Sequence, residues 1–225
     1  IPEPHMETPE EKAARKAGKV AKDPHGPLSF RHFVLGAIAI FFYVGIEVGI
    51  PNTANIHFSE LEWVGPALTG TMIGAYWLCM MIGRLAGSAI GGKVSSKTML
   101  SVTSIAAIVF LLCFIFIPES ATVTLFEKQL PVTLIFITIC GLCTSVMWGA
   151  IFNLSAEGLG KYTATASGIF MTLVCGGGII PFLQNLLADH IGSVQSYWLI
   201  IACLGYLVFY ALVGSKNVNK DIKVD

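Results

Sequence analysis

The chain has 225 residues, 54% of them hydrophobic and only 12% charged, with fourteen Lys and Arg balancing fourteen Asp and Glu. Ordinary soluble domains carry about a quarter charged residues, and a chain this long has no core large enough to absorb so much apolar surface. A soluble fold is therefore excluded, a polytopic membrane protein is expected, and the balanced charge gives no reason to expect a nucleic-acid partner.

The chain opens with the polar segment "IPEPHMETPEEKAARKAGKVAKD", which has no apolar signal core and reads as an internal piece of a longer protein. Thr8-Pro9-Glu10-Glu11 predicts the start of a short helix, from a cap, a first-turn proline and two acids. The basic run Lys12 to Lys22 is either a solvated tether or a contact for anionic lipid. A membrane-spanning helix needs about 20 mostly apolar residues. Six windows qualify: His32–Ile56, Val64–Gly91, Met99–Ile117, Leu130–Leu154, Thr165–Leu187 and Tyr197–Val213. Transmembrane barrels are excluded, because their strands alternate polar and apolar residues. The predicted fold is all-α, with polar segment 1–31, membrane unit 32–214 and polar tail 215–225.

Positive charge orients the spans. With the N-terminal segment placed inside, the inner segments hold thirteen of the fourteen basic residues: Lys12, Arg15, Lys16, Lys19, Lys22 and Arg31, then Arg84, Lys93 and Lys97, then Lys161, then Lys216, Lys220 and Lys223. Only Lys128 falls outside, so both termini are expected on the cytoplasmic side. A shift of 98 residues lays Gly70 on Gly168, "LTGTMIGAYW" on "ASGIFMTLVC", and the first three spans on the last three. Three is an odd number, so the copies must face opposite ways across the bilayer. Inverted three-helix repeats are a transporter signature, and six spans built as 3+3 make one half of the major facilitator architecture.

Two stretches carry a family resemblance. "GRLAGSAIGGKVSSK" (Gly83 to Lys97) resembles the loop motif of the major facilitator superfamily, with Gly91 or Gly92 standing where an Asp is usual. "MWGAIFNLSAEGLGKYTATASGIFMTLVCGGGIIPFLQNLLAD" (Met147 to Asp189), together with the "YVG-x-E" of Tyr43 to Glu47, looks like the fucose/glucose–galactose:proton symporter family; Gly149 stands where many members carry proline. The resemblance covers Arg31 to about Val213. It implies the C-terminal six-helix half of a sugar–proton symporter. It also makes 1–31 the cytoplasmic linker from an N-terminal half, implies a multi-pass place in the inner membrane, and puts the better-known proton carriers in that other half.

Glu47 lies deep inside the first span, where a charge costs about 2.5–3.5 kcal/mol on insertion scales. It either stays protonated and donates to a partner or cycles its proton as solute binds. Tyr43 lies four residues earlier on the same helix face and either holds Glu47, touches a sugar or simply packs. Pro51 has no N–H, which frees the carbonyl of Glu47 and predicts a break near mid-membrane. Asn52 and Asn55 follow toward the outer mouth, as solute ligands or as helix–helix glue. Thr138, Gly141, Ser145 and Trp148 or Gly149 form a small polar stripe on the fourth span, where Trp148 can stack on a sugar ring unless the stripe is close packing. On the fifth span Gly176 to Gly178 and Pro181 predict a kink, followed by Gln184 and Asn185. Of those two amides Gln184 is the expected cavity ligand. Tyr76 is a further binding candidate on the second span. Gly83, Arg84, Gly87, Lys93 and Asn153 are gating or cytoplasmic-motif candidates, Arg84 either snorkelling to phosphates at the inner face or closing a salt bridge.

These readings point to a secondary transporter that moves a hexose or deoxyhexose with protons by alternating access. Its partners would be sugar, protons, the missing half and the bilayer. A receptor or scaffold on the same fold, or a facilitator of another small polar solute, is the alternative. No enzyme signature is present: no HExxH, no GxSxG, no facing pair of intramembrane acids. Cys140-x-x-Cys143 lacks a second pair or a nearby His, so no metal or other cofactor is expected.

Overall fold

The computed structural model describes residues 25–125, 128–219 and 221–222. The predicted helix at Thr8, the run Lys12 to Lys22, and Lys220 and Lys223 lie outside them. Eight α-helices build six membrane-length spans among the described residues. They are α1 (Arg31–Glu60), α2 (Gly65–Ile90), α3 (Ser96–Phe116), α4 (Val132–Thr144), α5 (Met147–Ala156), α6 (Thr163–Thr172), α7 (Gly176–Ile191) and α8 (Tyr197–Phe209). The fourth span is α4 with α5, the fifth runs from Gly160 to Ile191 through α6 and α7, and the sixth is α8 closing in a π-helical turn, Tyr210–Gly214.

The ends follow the sequence. Ser95 caps α3, its Oγ accepting from the Thr98 N–H at 3.2 Å. Gly192, at φ 94°, ends α7 in a conformation that only glycine adopts freely. Observed spans agree with the predicted windows to within a few residues at each end, and the longest extensions are those of α1 to Glu60 and of the fifth span back to Gly160 and on to Ile191. One element was not expected: strands β1 (Thr122–Leu125) and β2 (Lys128–Pro131) pair antiparallel between the third and fourth spans, where Thr- and Val-rich sequence suits a strand.

The packing repeats as the 98-residue shift requires. The first and fourth spans are the most buried, at 61% of their apolar windows, whereas the second, third and fifth reach only 22%, 28% and 28%. The heaviest contacts pair α1 with α7 and α4 with α2, so the lead helix of each repeat packs on the second helix of the other. Both contacts are backbone-close. A Cβ at Gly176 would collide with the backbone of Phe41, and one at Gly141 with the carbonyl of Tyr76. Shifted by 98, Phe41 and Gly176 fall on positions 139 and 78, within two residues of the Gly141–Tyr76 contact. The same close approach is thus made twice, with the glycine on opposite partners.

Five of the seven described basic residues, Arg31, Lys93, Lys97, Lys161 and Lys216, gather at the end where α1 begins and α2 finishes; Arg84 lies within α2 and Lys128 in β2. That end is knit by the His32 ring Nε2 to the Glu157 carbonyl at 2.9 Å, and by the Arg31 N–H donating to Asn219 Oδ1 at 3.1 Å. At the far end His57 Nε2 meets Glu119 Oε1 at 2.9 Å, joining the top of α1 to the loop after α3.

Candidate functional site

A cavity of about 720 Å3 opens between α1, α2, the start of α3 and the junction of α4 with α5. Glu47 and Arg84 stand at its deep end; Gly91, Ser96 and Asn153 lie toward the basic end. Ser88, Ser145, Trp148 and Val174 line the walls between them.

The central contact is an ion pair. Arg84 Nη2 donates to Glu47 Oε1 at 2.7 Å, the distance of a charge-assisted hydrogen bond. The Glu47 side chain is 12% exposed and that of Arg84 54%, so a sheltered carboxylate is held by a guanidinium that faces the cavity. Tyr43 lies one helical turn before Glu47 on α1. Of the two readings of Arg84, the structure shows the salt bridge and not a guanidinium at the inner end of α2. Arg84 precedes the end of α2 at Ile90 by six residues, about 9 Å at 1.5 Å rise each. A guanidinium at that depth needs a partner, and Glu47 supplies one.

Glycines bring the walls together. A Cβ at Gly83 would strike Ser145 Oγ, and one at Gly87 would strike Val146 Cγ1, so these motif residues seat α2 against the end of α4. Ser145 and Val146 interrupt the fourth span there, and a 3-10 turn at Leu173–Cys175 interrupts the fifth beside the cavity-lining Val174. The predicted break in the first span is absent: α1 runs unbroken through Pro51, because the freed Glu47 carbonyl accepts from the Tyr76 hydroxyl at 3.0 Å. Pro181 likewise sits inside α7 without ending it, and the irregularity falls just before the glycine run.

Of the expected site residues, the cavity gathers Glu47, Arg84, Gly87, Ser145, Trp148 and Asn153. Trp148 sits edge-on to Tyr43 and Phe170, each at 6.1 Å between ring centroids. Asn153 Nδ2 donates to Ser96 Oγ at 3.5 Å across the cavity mouth. Lys93 is exposed on the turn after α2, outside the lining. Tyr43 and Tyr76 are fully buried and spend their hydroxyls on main-chain carbonyls. Asn52 is exposed on α1 but does not reach the cavity, because five helical steps carry it about 140° around from Glu47. Gln184 is buried on another face, its Oε1 against the bare backbone of Gly49, with neither amide atom partnered. Asn185 accepts from the Thr53 hydroxyl at 3.0 Å, also away from the cavity. Sequence reasoning missed Ser88 and Ser96, which come to line one cavity only because α2 and α3 meet at the motif turn.

Comparisons with known proteins bear on the family and the fold. The family model described as Major Facilitator Superfamily matches residues 1–182. A glucose/galactose transporter of Brucella abortus is 33% identical over 190 residues, covering 84% of this chain and 43% of that protein. A putative glucose/galactose transporter of Helicobacter pylori is 30% identical over 194 residues, covering 84% and 45%. The L-fucose-proton symporter of Escherichia coli is 25% identical over 197 residues, covering 84% and 41%. The chain thus spans less than half the length of the curated relatives it matches. A crystal structure of the fucose:proton symporter of E. coli superposes with a TM-score of 0.72 at 20% identity, over 93% of this chain and 46% of that one.

Proposed function

This chain belongs to the Major Facilitator Superfamily, and we propose that it is the C-terminal six-helix half of a proton-coupled sugar transporter working by alternating access. The observation that carries the reading is the Glu47–Arg84 pair at the deep end of a cavity whose walls also hold Trp148, Ser145 and Asn153. A neutral polyol suits such a site. The pair is charge-balanced and offers both acceptor and donor, the hydroxyl and amide groups add mixed hydrogen bonding, and the indole supplies apolar surface for the CH face of a ring. The named relatives are sugar transporters, which supports a hexose or deoxyhexose as the solute.

An N-terminal half completes the cavity in this reading. It would cover the second and fifth spans, α2 and α6–α7, which pack on the two lead helices and are, like the third, sparsely buried. Residues 1–31 are then the linker between halves and 215–225 a cytoplasmic tail. The basic end faces the cytoplasm by the positive-inside rule, in an inner membrane. The two span interruptions beside the cavity let the wall rearrange as the halves rock, since irregular backbone is tolerated at membrane depth only where protein or water lines it. A receptor or scaffold gains nothing from such a wet, charge-paired cavity. In cells expressing the full-length protein, sugar addition alkalinises the medium, and Glu47→Gln cuts that signal at least about tenfold, the scale of losing one charge-assisted bond. An unchanged signal removes Glu47 from the transport path.

A further inference from the structure

Two main-chain carbonyls beside the cavity lose their helical donors, and two tyrosines stand in for those donors. Pro51 has no N–H for the carbonyl of Glu47, which accepts from the Tyr76 hydroxyl at 3.0 Å. Thr144 is the last residue of α4, and its carbonyl accepts from the Tyr43 hydroxyl at 3.2 Å. Tyr76 and Thr144 are also joined side chain to side chain, hydroxyl to Oγ1, at 3.2 Å. The two rings are 0% exposed, so neither hydroxyl is open to a solute in this state. Tyr76 comes from α2 and caps α1, whereas Tyr43 comes from α1 and caps the end of α4. The proline defect of one repeat and the helix break of the other therefore share one clasp. That clasp fixes the turn of α1 that carries Glu47 and the turn that carries Ser145.

We propose that Tyr43 and Tyr76 are positioning residues: they cap the two helix defects and hold Glu47 toward Arg84 in the cavity wall. The proposal rests on the reading of that cavity as the solute path. It replaces the expectation that either tyrosine binds solute. It also makes a chemical prediction, because the defect capped by Tyr76 can be repaired in the main chain. Pro51→Ala restores an N–H opposite the Glu47 carbonyl and makes the Tyr76 hydroxyl dispensable there, while the Thr144 Oγ1 that it also meets keeps its bonds to the Cys140 and Gly141 carbonyls. No change at position 51 supplies a donor to Thr144.

The test uses the full-length protein in proteoliposomes, with uptake of labelled glucose, galactose and fucose. Tyr76→Phe lowers the maximal rate about tenfold while KM moves less than about twofold, and adding Pro51→Ala restores the rate to within about twofold. Tyr43→Phe is equally impaired and is not restored by Pro51→Ala. A raised KM that Pro51→Ala leaves raised means the Tyr76 hydroxyl touches the solute, and overturns the proposal. If the unaltered protein takes up no sugar, the transport reading fails separately. The same cycle is then read as thermal midpoint, as it is for any inactive variant. Compensation of Tyr76→Phe but not Tyr43→Phe by Pro51→Ala upholds the clasp, and strictly additive losses overturn it.

Discussion

Cutting the Glu47–Arg84 pair from either side has unequal consequences, and the inequality can be worked from exposure. Arg84→Gln strands a carboxylate whose side chain is only 12% exposed, whereas Glu47→Gln leaves a guanidinium that is 54% exposed and can be hydrated from the cavity. Removing one partner of a fully buried pair costs about 3–5 kcal/mol. This pair opens onto water, which places Arg84→Gln nearer about 2 kcal/mol, the worth of one hydrogen bond to a charged group. Glu47→Gln costs about half as much, since the charge left behind keeps its solvent. With both changed, no stranded charge remains, and the double variant is more stable than the sum of the single losses by about 1–2 kcal/mol. The assay is thermal unfolding of the detergent-solubilised full-length protein, where a loss of about 2 kcal/mol lowers the midpoint by about 2–4 °C. Additive losses, or a larger loss from Glu47→Gln than from Arg84→Gln, would refute the reasoning.

Three further outcomes follow from the packing and the cavity. Gly176→Val forces α7 off the backbone of Phe41 and costs about 1–3 kcal/mol, while Gly178→Val, which meets nothing within 4 Å, stays within about 0.5 kcal/mol in the same thermal assay. Trp148→Ala raises the KM for sugar about tenfold, and Trp148→Phe recovers most of that loss, as expected when an aromatic face is the contact. A thiol at Lys93→Cys reacts with an impermeant reagent only from the cytoplasmic side, and one at Glu119→Cys only from outside, measured in oriented vesicles.

Composition, hydropathy and the 98-residue shift made the fold legible, because span length and charge asymmetry are set by the bilayer and need no tertiary knowledge. The site was legible only at single residues. Glu47 stood out because a carboxylate in an apolar run demands a partner, and Pro51 because it must free a carbonyl. Which groups answer those demands depends on which helices meet. Arg84 lies 37 residues from Glu47 and Tyr76 lies 29, with no periodicity linking them. The glycines at 83, 87 and 141 were the available clue, since bare backbone marks where helices touch, but glycine does not say what it touches. Asn52, Gln184 and Asn185 are polar in the same spans but do not line this cavity, as the 100° step of the helix already implied for Asn52.

The central claim is that this chain forms half of a sugar path. It is tested most directly by uptake of labelled glucose, galactose and fucose into proteoliposomes holding the full-length protein, with and without an inward proton gradient. The account predicts saturable uptake of at least one of these sugars, accelerated by the gradient and lost in Arg84→Gln. Folded, reconstituted protein that takes up none of them under either condition would contradict it.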